Sequence, residues 1–386
     1  YAFPLAEHGV LPVHTDQGWM QIRIRRVHLE EDTAKLTHIQ EESGEAYSLV
    51  DLNRAGIPLL EIVSEPDLHT VEQVRAYTHA LRTLLQYLEV NSGDLERGVI
   101  RFEANVSIRP TNSLELGTRV EIKNLNSFKT MTAAIEYELE RQSDLLASGA
   151  KVAQETLGWD ETEGTTHAQR SKEEAHDYRY FPEPDLPPLT IHPEQIEVER
   201  EGLPERPDRR LQRFMADFGL SYYQAEVLTK EKAIADYFEA TLTHMPNPDA
   251  PLAANWITGE LFGLMNAQHQ TIAEVRISAP SLAALLDQIQ KEIINNATAK
   301  FIMMEMFTSG AAPEAIIREQ GLSQISDREV LAGVIKRILA AHPQEVQAFR
   351  AGKTTLKTWF FGQVMQETAG QANPAVVKEL LEEKLA

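Results

Sequence analysis

The sequence predicts an α+β fold in which a sheet-containing half precedes a half made of helices. Two observations support this prediction. Up to about residue 200, several segments alternate between apolar and polar residues, which is the period-two pattern of a strand with one buried face. After a proline-rich passage at 181–188, the apolar residues recur every three or four positions instead, as they do in amphipathic helices.

Three segments of the first half predict strands whose outer faces are charged. Residues 99–109 alternate without a break, with Arg101, Glu103 and Asn105 on the polar face. Residues 118–123 alternate in the same way. Residues 20–29 alternate with one change of parity, which predicts a bulge near residues 25–26 and places Val27 and Leu29 inward beyond it.

Local signals predict the remaining elements of this half. Thr70, with Gln73 three residues later, is typical of a helix N-terminus closed by a capping box. Ser127 is expected to begin a second helix, which ends at Gly149. Residues 151–159 and 165–170 are expected to form a hairpin across the turn at 161–164.

The apolar spacing of the second half predicts helices throughout. They are expected over 209–219, 221–228, 231–243, 251–266, 280–294, 297–308, 312–320, 327–341, 343–351, 354–369 and 373–385. The motif Ala-Gly-Lys-Thr at 351–354 ends like a phosphate loop, but no strand precedes it and we interpret it as a turn between helices. We therefore expect three domains, over 1–203, 204–320 and 321–386.

Composition limits the class of protein. The 386 residues include no cysteine, which excludes disulfides and thiolate chemistry and is compatible with a reducing cytoplasm. No run of 18 apolar residues is present, so no membrane span is expected. The net charge is −21, yet residues 291–386 contain 11 basic and 11 acidic side chains and are neutral. A neutral helical end is better suited than the acidic first half to contact a polyanion.

The acidic strands predict a metal and phosphate site. If Glu30, Glu31, Glu103 and Glu121 met on one sheet, an uncompensated cluster would cost several kcal/mol. A cation would offset that cost, and oxygen ligands without cysteine favour Mg²⁺. Arg101 and Lys123 supply the positive charge that phosphoryl transfer requires. The alternative is a set of surface strands with ordinary salt bridges, and the single sheet is itself an assumption.

Four runs in the first half resemble the B-subunit family of aspartyl/glutamyl-tRNA amidotransferases. They are HLEED at 28–32, SLVDLNRAGIPLLEIV at 48–63, EIKNLNSF at 121–128 and DYRYFPEPD at 177–185. In the tail, GQVM at 362–365 and GQANP at 370–374 resemble the same family. The resemblance extends over essentially the whole chain, in order.

This resemblance implies a fold and a reaction. It implies a cradle domain related to glutamine synthetase, with an antiparallel sheet, followed by a helical domain and a tail domain that binds tRNA. The family amidates Glu on tRNA(Gln) or Asp on tRNA(Asn), after phosphorylating the carboxylate with ATP and Mg²⁺. An amidase, the A subunit, supplies ammonia from glutamine, and a small C subunit joins the two. The family has an acidic strand upstream of Tyr1, so we expect this chain to be incomplete at its N-terminus.

The resemblance also implies site residues. Glu30, Glu31, Glu103 and Glu121 are the expected metal ligands, and Glu31 and Glu121 count among the catalytic residues with Arg101 and Lys123, which would orient phosphate. Expected substrate and phosphate contacts come from Asn53, Arg54, Asn105 and Asn124. Two alternatives remain open: a non-catalytic scaffold subunit that docks tRNA, and a free-standing ligase acting on a small amino acid.

Overall fold

The computed structural model describes residues 3–41, 44–95, 97–168, 184–185, 187–322 and 324–385. The chain divides into two compact units, one ending at Asp208 and the other beginning at Arg209. All strands of the described residues lie in the first unit, and the second unit consists of helices. The α+β class is therefore confirmed. The likeness to a glutamine-synthetase cradle and the division into three domains stay predictions.

In its described residues, the first unit contains three sheets and three helices. Its strands are β1 (Ala6–Thr15), β2 (Gly18–Glu31), β3 (Lys35–Gln40), β4 (Ala46–Asp51), β5 (Pro58–Ser64), β6 (Phe102–Val106), β7 (Val120–Leu125), β8 (Thr156–Asp160) and β9 (Thr165–Ala168). Its helices are α1 (Val71–Tyr87), α2 (Phe128–Ala147) and α3 (Pro193–Gly202), the last of which the sequence analysis missed. The strand orders are β1-β2-β5, β3-β4 and β6-β7-β8-β9. Every pair is antiparallel except β7 with β8.

The assumption that the three acidic strands share one sheet is wrong. β2 pairs with β1 and β5, whereas β6 and β7 pair with each other in a different sheet. Alternation in a sequence fixes which residues of a strand share a face, but it does not identify the strand's neighbours.

β2 contains the predicted bulge, at Ile24–Arg26, but the side chains beyond it are arranged differently from the prediction. Leu29 is 51% exposed, and the more buried face is the one that bears Arg26, His28 and Glu30. The inward placement of Leu29 was therefore wrong. Glu103 on β6 raises the pKa of Glu30 slightly through its charge, so the two carboxylates lie within electrostatic range of each other.

β7 contains a second irregularity that the sequence analysis did not predict. Phe102 pairs with Leu125 and Ala104 with Ile122, so β7 has one residue more than β6 between these pairs. Asn124 adopts a φ of 64°, a left-handed conformation that asparagine tolerates better than most residues. The extra residue reverses the parity of the strand. As a result, Ile122 and Leu125 are both buried although they are three positions apart.

The two predicted helix starts are confirmed. Thr70 accepts a hydrogen bond from the main-chain amide of Gln73, and Ser127 accepts one from that of Thr130. The side chain of Gln73 accepts from the amide of His69, one residue earlier than a standard capping box. The hairpin is confirmed as β8 and β9.

A buried polar network joins α2 to the edge strand β6. Glu138 and Gln142 are both fully buried, and Gln142 Nε2 donates to Glu138 at 2.7 Å. The Gln142 amide also donates to the carbonyl of Val106 and accepts from the amide of Ile108, each at 3.2 Å. A side chain thus satisfies main-chain groups that would lack a partner at the end of the strand.

The second unit contains twelve helices among the described residues. They are α4 (Pro207–Phe218), α5 (Tyr222–Thr229), α6 (Lys232–His244), α7 (Ala250–Asn255), α8 (Phe262–Gln268), α9 (Ala279–Gln290), α10 (Asn296–Ser309), α11 (Pro313–Gln320), α12 (Arg328–Ala341), α13 (Pro343–Arg350), α14 (Leu356–Glu367) and α15 (Pro374–Leu385). A π-helical segment, Trp256–Leu261, connects α7 and α8.

The helices of the second unit pack around two separate cores. One core contains residues between 211 and 317, and the other contains residues between 331 and 385. Residues 351–354 form the predicted turn between α13 and α14. In the described part of the chain, no helix has the length and apolar character needed to cross a membrane.

We expect Gly117→Ala to destabilise the first unit. A Cβ at Gly117 would lie 2.0 Å from the carbonyl oxygen of Ile108, so one of the two main-chain segments would have to move. Such overpacking costs about 1–3 kcal/mol and is measurable by denaturant unfolding. Gly202→Ala is the control, because a Cβ there meets nothing within 4 Å. Equal stability of both variants would contradict the expectation.

Candidate functional site

Lys123 lies between two carboxylates on the polar face of β6 and β7. Its Nζ is 3.0 Å from Glu103 Oε1 and 3.5 Å from Glu121 Oε1. Burial alone would lower the pKa of Lys123, but the hydrogen bond and charge of Glu103, together with those of Glu121, raise it above its ordinary value. Lys123 therefore remains charged, and the structure brings three of the predicted site residues together.

Neighbouring side chains complete this face. Asn105 pairs directly with Glu121 across the two strands. Thr156, on the parallel neighbour β8, donates its hydroxyl to Glu121 Oε2 at 2.8 Å. Asn124 occupies the left-handed position of the bulge and is exposed. Glu121 is thus held by Lys123 and Thr156, whereas the Glu103 side chain is 51% exposed.

Glu30 contributes a further carboxylate from β2. Burial raises its pKa first, and the negative charge of Glu61 raises it further; His28 and Arg26 lower it, and Glu103 adds the smallest increase. Glu61 lies opposite His28 on β5, and its carboxylate is 3.2 Å from Arg26 Nη2. Glu30, Glu61 and Glu103 are therefore close enough to repel one another.

Asp32, directly after β2, contacts two arginines. Its Oδ2 lies 2.6 Å from Arg101 Nη2 and 2.9 Å from Arg54 Nε. Burial alone would raise the pKa of Asp32, but Arg101, the amide of Thr33 and Arg54 together lower it below its ordinary value. Arg101 stands at the start of β6 and Arg54 in the β4–β5 turn, so the carboxylate links three segments that are distant in the sequence.

The structure separates some predicted residues from this group. Glu31 is exposed and lies on the face of β2 opposite to Glu30, because successive residues of a strand point to opposite sides. It cannot approach the same ion from that face, so its place beside Glu30 in the expected ligand set needs correction. Asn53 is exposed in the β4–β5 turn, where its main-chain amide donates to the carboxylate of Asp51.

No three His, Asp or Glu side chains of the described residues are grouped closely enough to hold a metal ion. The assignment of Glu30, Glu103 and Glu121 to one ion therefore stays a prediction. The resembling run at 177–185 lies mostly outside the described residues.

The sequence analysis missed two contributors that a signal in the sequence could have found. Asp32 continues the period-two series of His28 and Glu30, so the alternation already placed it on the same face. Glu61 falls within a run that carries the resemblance. Thr156 gave no such signal, because the parallel pairing of β7 and β8 could not be read from the sequence.

The arrangement combines oxygen donors with fixed positive charge. Carboxylates in mutual repulsion favour a hard cation, and guanidinium and ammonium groups favour phosphate. The fold and this face define an α+β protein whose first unit carries a polar surface of carboxylates and basic side chains, followed by helices.

Comparison with known proteins identifies the family. Residues 1–197 match the family model of the GatB/GatE catalytic domain, and residues 236–385 match that of the GatB domain. The chain is 47% identical over 382 residues to the B subunit of the aspartyl/glutamyl-tRNA(Asn/Gln) amidotransferase of Myxococcus xanthus, covering 99% of this chain and 79% of that protein. It is 45% identical over 386 residues to the protein of the same name from Carboxydothermus hydrogenoformans, covering 100% and 80%.

This chain therefore belongs to the GatB family, the B subunits of tRNA-dependent amidotransferases. The resemblance seen in the sequence motifs is confirmed. Members of this family are subunits of ligase-type enzymes.

We expect Glu61→Gln to lower the pKa of Glu30. Removing one negative charge favours ionisation of Glu30, whose pKa lies above the ordinary 4.5. The pKa can be measured by NMR titration of ¹³C-labelled glutamate carboxyl groups. Glu65→Gln is the matched control, because Glu65 pairs with Arg25 and does not act on Glu30. If the pKa of Glu30 were the same in the Glu61→Gln variant as in the wild type, the expected coupling would be contradicted.

Proposed function

We propose that this chain carries out ATP-dependent amidation of Glu on tRNA(Gln) or Asp on tRNA(Asn), through a phosphorylated acyl intermediate. The most direct support is the polar face at which Lys123 lies between Glu103 and Glu121, near Glu30. Membership in the B-subunit family supports the choice of a tRNA-linked substrate.

The chemistry explains why such a face is needed. A carboxylate reacts poorly with ammonia because oxide would have to leave. Transfer of the terminal phosphoryl group of ATP to the carboxylate oxygen releases ADP and makes phosphate the leaving group. Ammonia then attacks the acyl carbon, phosphate departs, and one proton is lost to give the amide. In this proposal the ammonia comes from an amidase, the A subunit, and a small C subunit makes the complex a heterotrimer.

The residues on this face fit the roles that the reaction requires. Mg²⁺, when bound, would offset the charge that develops on the phosphates. Glu30, Glu103 and Glu121 are oxygen donors of the right kind, and burial, with the charge of Glu61 second, raises the pKa of Glu30, which a bound cation would oppose. Lys123 and Arg101 would orient the transferred phosphoryl group, and Arg54, Asn105 and Asn124 are placed to contact the substrate.

The helices at the end of the chain supply a candidate tRNA contact. Residues 321–386 contain 8 basic and 7 acidic side chains, so their net charge is +1, whereas the net charge of the whole chain is −21. In the described residues no ion pair is found for Arg350 or Lys353, which are exposed at the end of α13 and in the turn after it. Trp359 is 37% exposed and contacts the ring of His342 edge to face. Cations and an accessible aromatic ring are suited to phosphate and base contacts.

We expect Lys123→Met to weaken the binding of Mg-ATP by about tenfold or more, because charge-assisted contacts to phosphate are strong. Isothermal titration of Mg-ATP into the full chain measures this. Lys151→Met, which removes an exposed lysine from a loop, is the control. Equal affinity of all three proteins would contradict the proposed site and favour the non-catalytic scaffold alternative.

We expect the double variant Arg350→Ala/Lys353→Ala to bind tRNA more weakly and with a smaller dependence on salt. Each lost phosphate contact reduces the slope of log K against log salt by about 1. Filter binding at several salt concentrations gives the slope. Lys357→Ala is the control, since Lys357 already pairs with Glu382. A slope unchanged from the wild type would place the tRNA contact elsewhere.

A further inference from the structure

We infer that Asp32 is a positioning residue that holds Arg54 and Arg101 side by side as a binding pair for the terminal phosphates of a nucleoside triphosphate. This inference rests on the proposed function, since it assigns a further part of the same site. It goes beyond that function by assigning Asp32, Arg54 and Arg101 together to the binding of one ligand.

The first support is the contrast in exposure within the trio. The Asp32 side chain is only 10% exposed, whereas those of Arg54 and Arg101 are 40% and 53% exposed. The carboxylate is therefore covered, and much of each guanidinium still faces solvent. An ion pair made only for stability gains little from leaving both cations so accessible.

The second support is charge. Two guanidinium groups on one carboxylate leave a net charge of +1, in a chain whose net charge is −21. Among the described residues, no other acidic side chain forms an ion pair with Arg54 or Arg101. Two guanidinium groups that share one carboxylate keep donors free for an anion, and the planar fork of arginine matches phosphate oxygens.

The third support is the rigidity of the trio. Asp32 Oδ1 accepts from the amide of Thr33 at 3.0 Å, and the main chain of Asp32 exchanges hydrogen bonds with Gly56 and Ile57 of the β4–β5 turn. Arg54 Nη2 also donates to the carbonyl of Gly98 at 3.1 Å. The end of β2, the turn that carries Arg54 and the segment that leads to Arg101 are thereby fixed to one another.

The location agrees with this role. Asp32 directly follows the strand that carries Glu30, and Arg101 directly precedes the strand that carries Glu103. The guanidinium pair and the carboxylates coupled through Glu30 therefore belong to one continuous polar region of the first unit.

The test uses the full chain with inorganic tripolyphosphate and Mg-ATP as probes. We expect Asp32→Asn to weaken the binding of both about tenfold to a hundredfold, the usual loss when a partner that orients a binding group is removed. Asp67→Asn is the matched control, because Asp67 also binds an arginine, Arg23, through two hydrogen bonds elsewhere in the first unit. The control should shift the melting temperature but leave both affinities unchanged.

A second variant separates positioning from folding. Arg101→Lys keeps the charge at an exposed position but loses the fork, and we expect about tenfold weaker tripolyphosphate binding at an unchanged melting temperature. Wild-type affinity in both Asp32→Asn and Arg101→Lys would overturn the inference, and so would an equal loss in Asp67→Asn. If these variants bind normally while Lys123→Met does not, only the present inference fails. If the wild type binds neither probe, the proposed function fails with it.

Discussion

Repulsion among carboxylates is the constraint on which the candidate site depends. β2, β5, β6 and β7 direct Glu30, Glu61, Glu103 and Glu121 into one region of the first unit, and acidic groups in partial burial cannot all stay ionised without positive charge nearby. Lys123 supplies one such charge and Arg26 another. The pKa of Glu30 is nevertheless raised, first by burial and then by the charge of Glu61.

Contacts away from the polar face hold these strands in place against the repulsion. The buried Glu138–Gln142 pair on α2 satisfies the main-chain groups at the end of β6, where the edge of the sheet would otherwise lack partners. The bulge at Asn124 keeps Lys123 on the polar face while Leu125 returns to the core. Asp32 joins the two sheets at their polar ends through Arg101. Support of this kind is typical of sites in which charged groups must be held apart at fixed distances.

The predictions from the sequence succeeded where the cause was local. Thr70 and Ser127 cap their helices because a hydroxyl two or three residues from a free amide is enough to satisfy it. Most helices of the second half were found to within two residues, because their apolar spacing depends on the helix alone. The helix expected over 280–294 ends earlier, at Gln290, and the one expected over 251–266 is interrupted by a π-helical segment. The alternation placed Lys123 and Glu121 on one strand face, and the structure brings Glu103 beside them because β6 pairs with β7.

By itself, the sequence determined that strands precede helices, five of the nine strands in the described residues, the alternation that gathers charged residues on one face, and the motifs that identify the family. Only the tertiary structure decided that β2 belongs to a different sheet from β6 and β7, that Leu29 is exposed, and that Glu31 points away from Glu30. It also revealed Asp32 as the partner of Arg54 and Arg101. The reason is that strand pairing and ion pairing join residues up to 69 positions apart, and no local pattern specifies such partners.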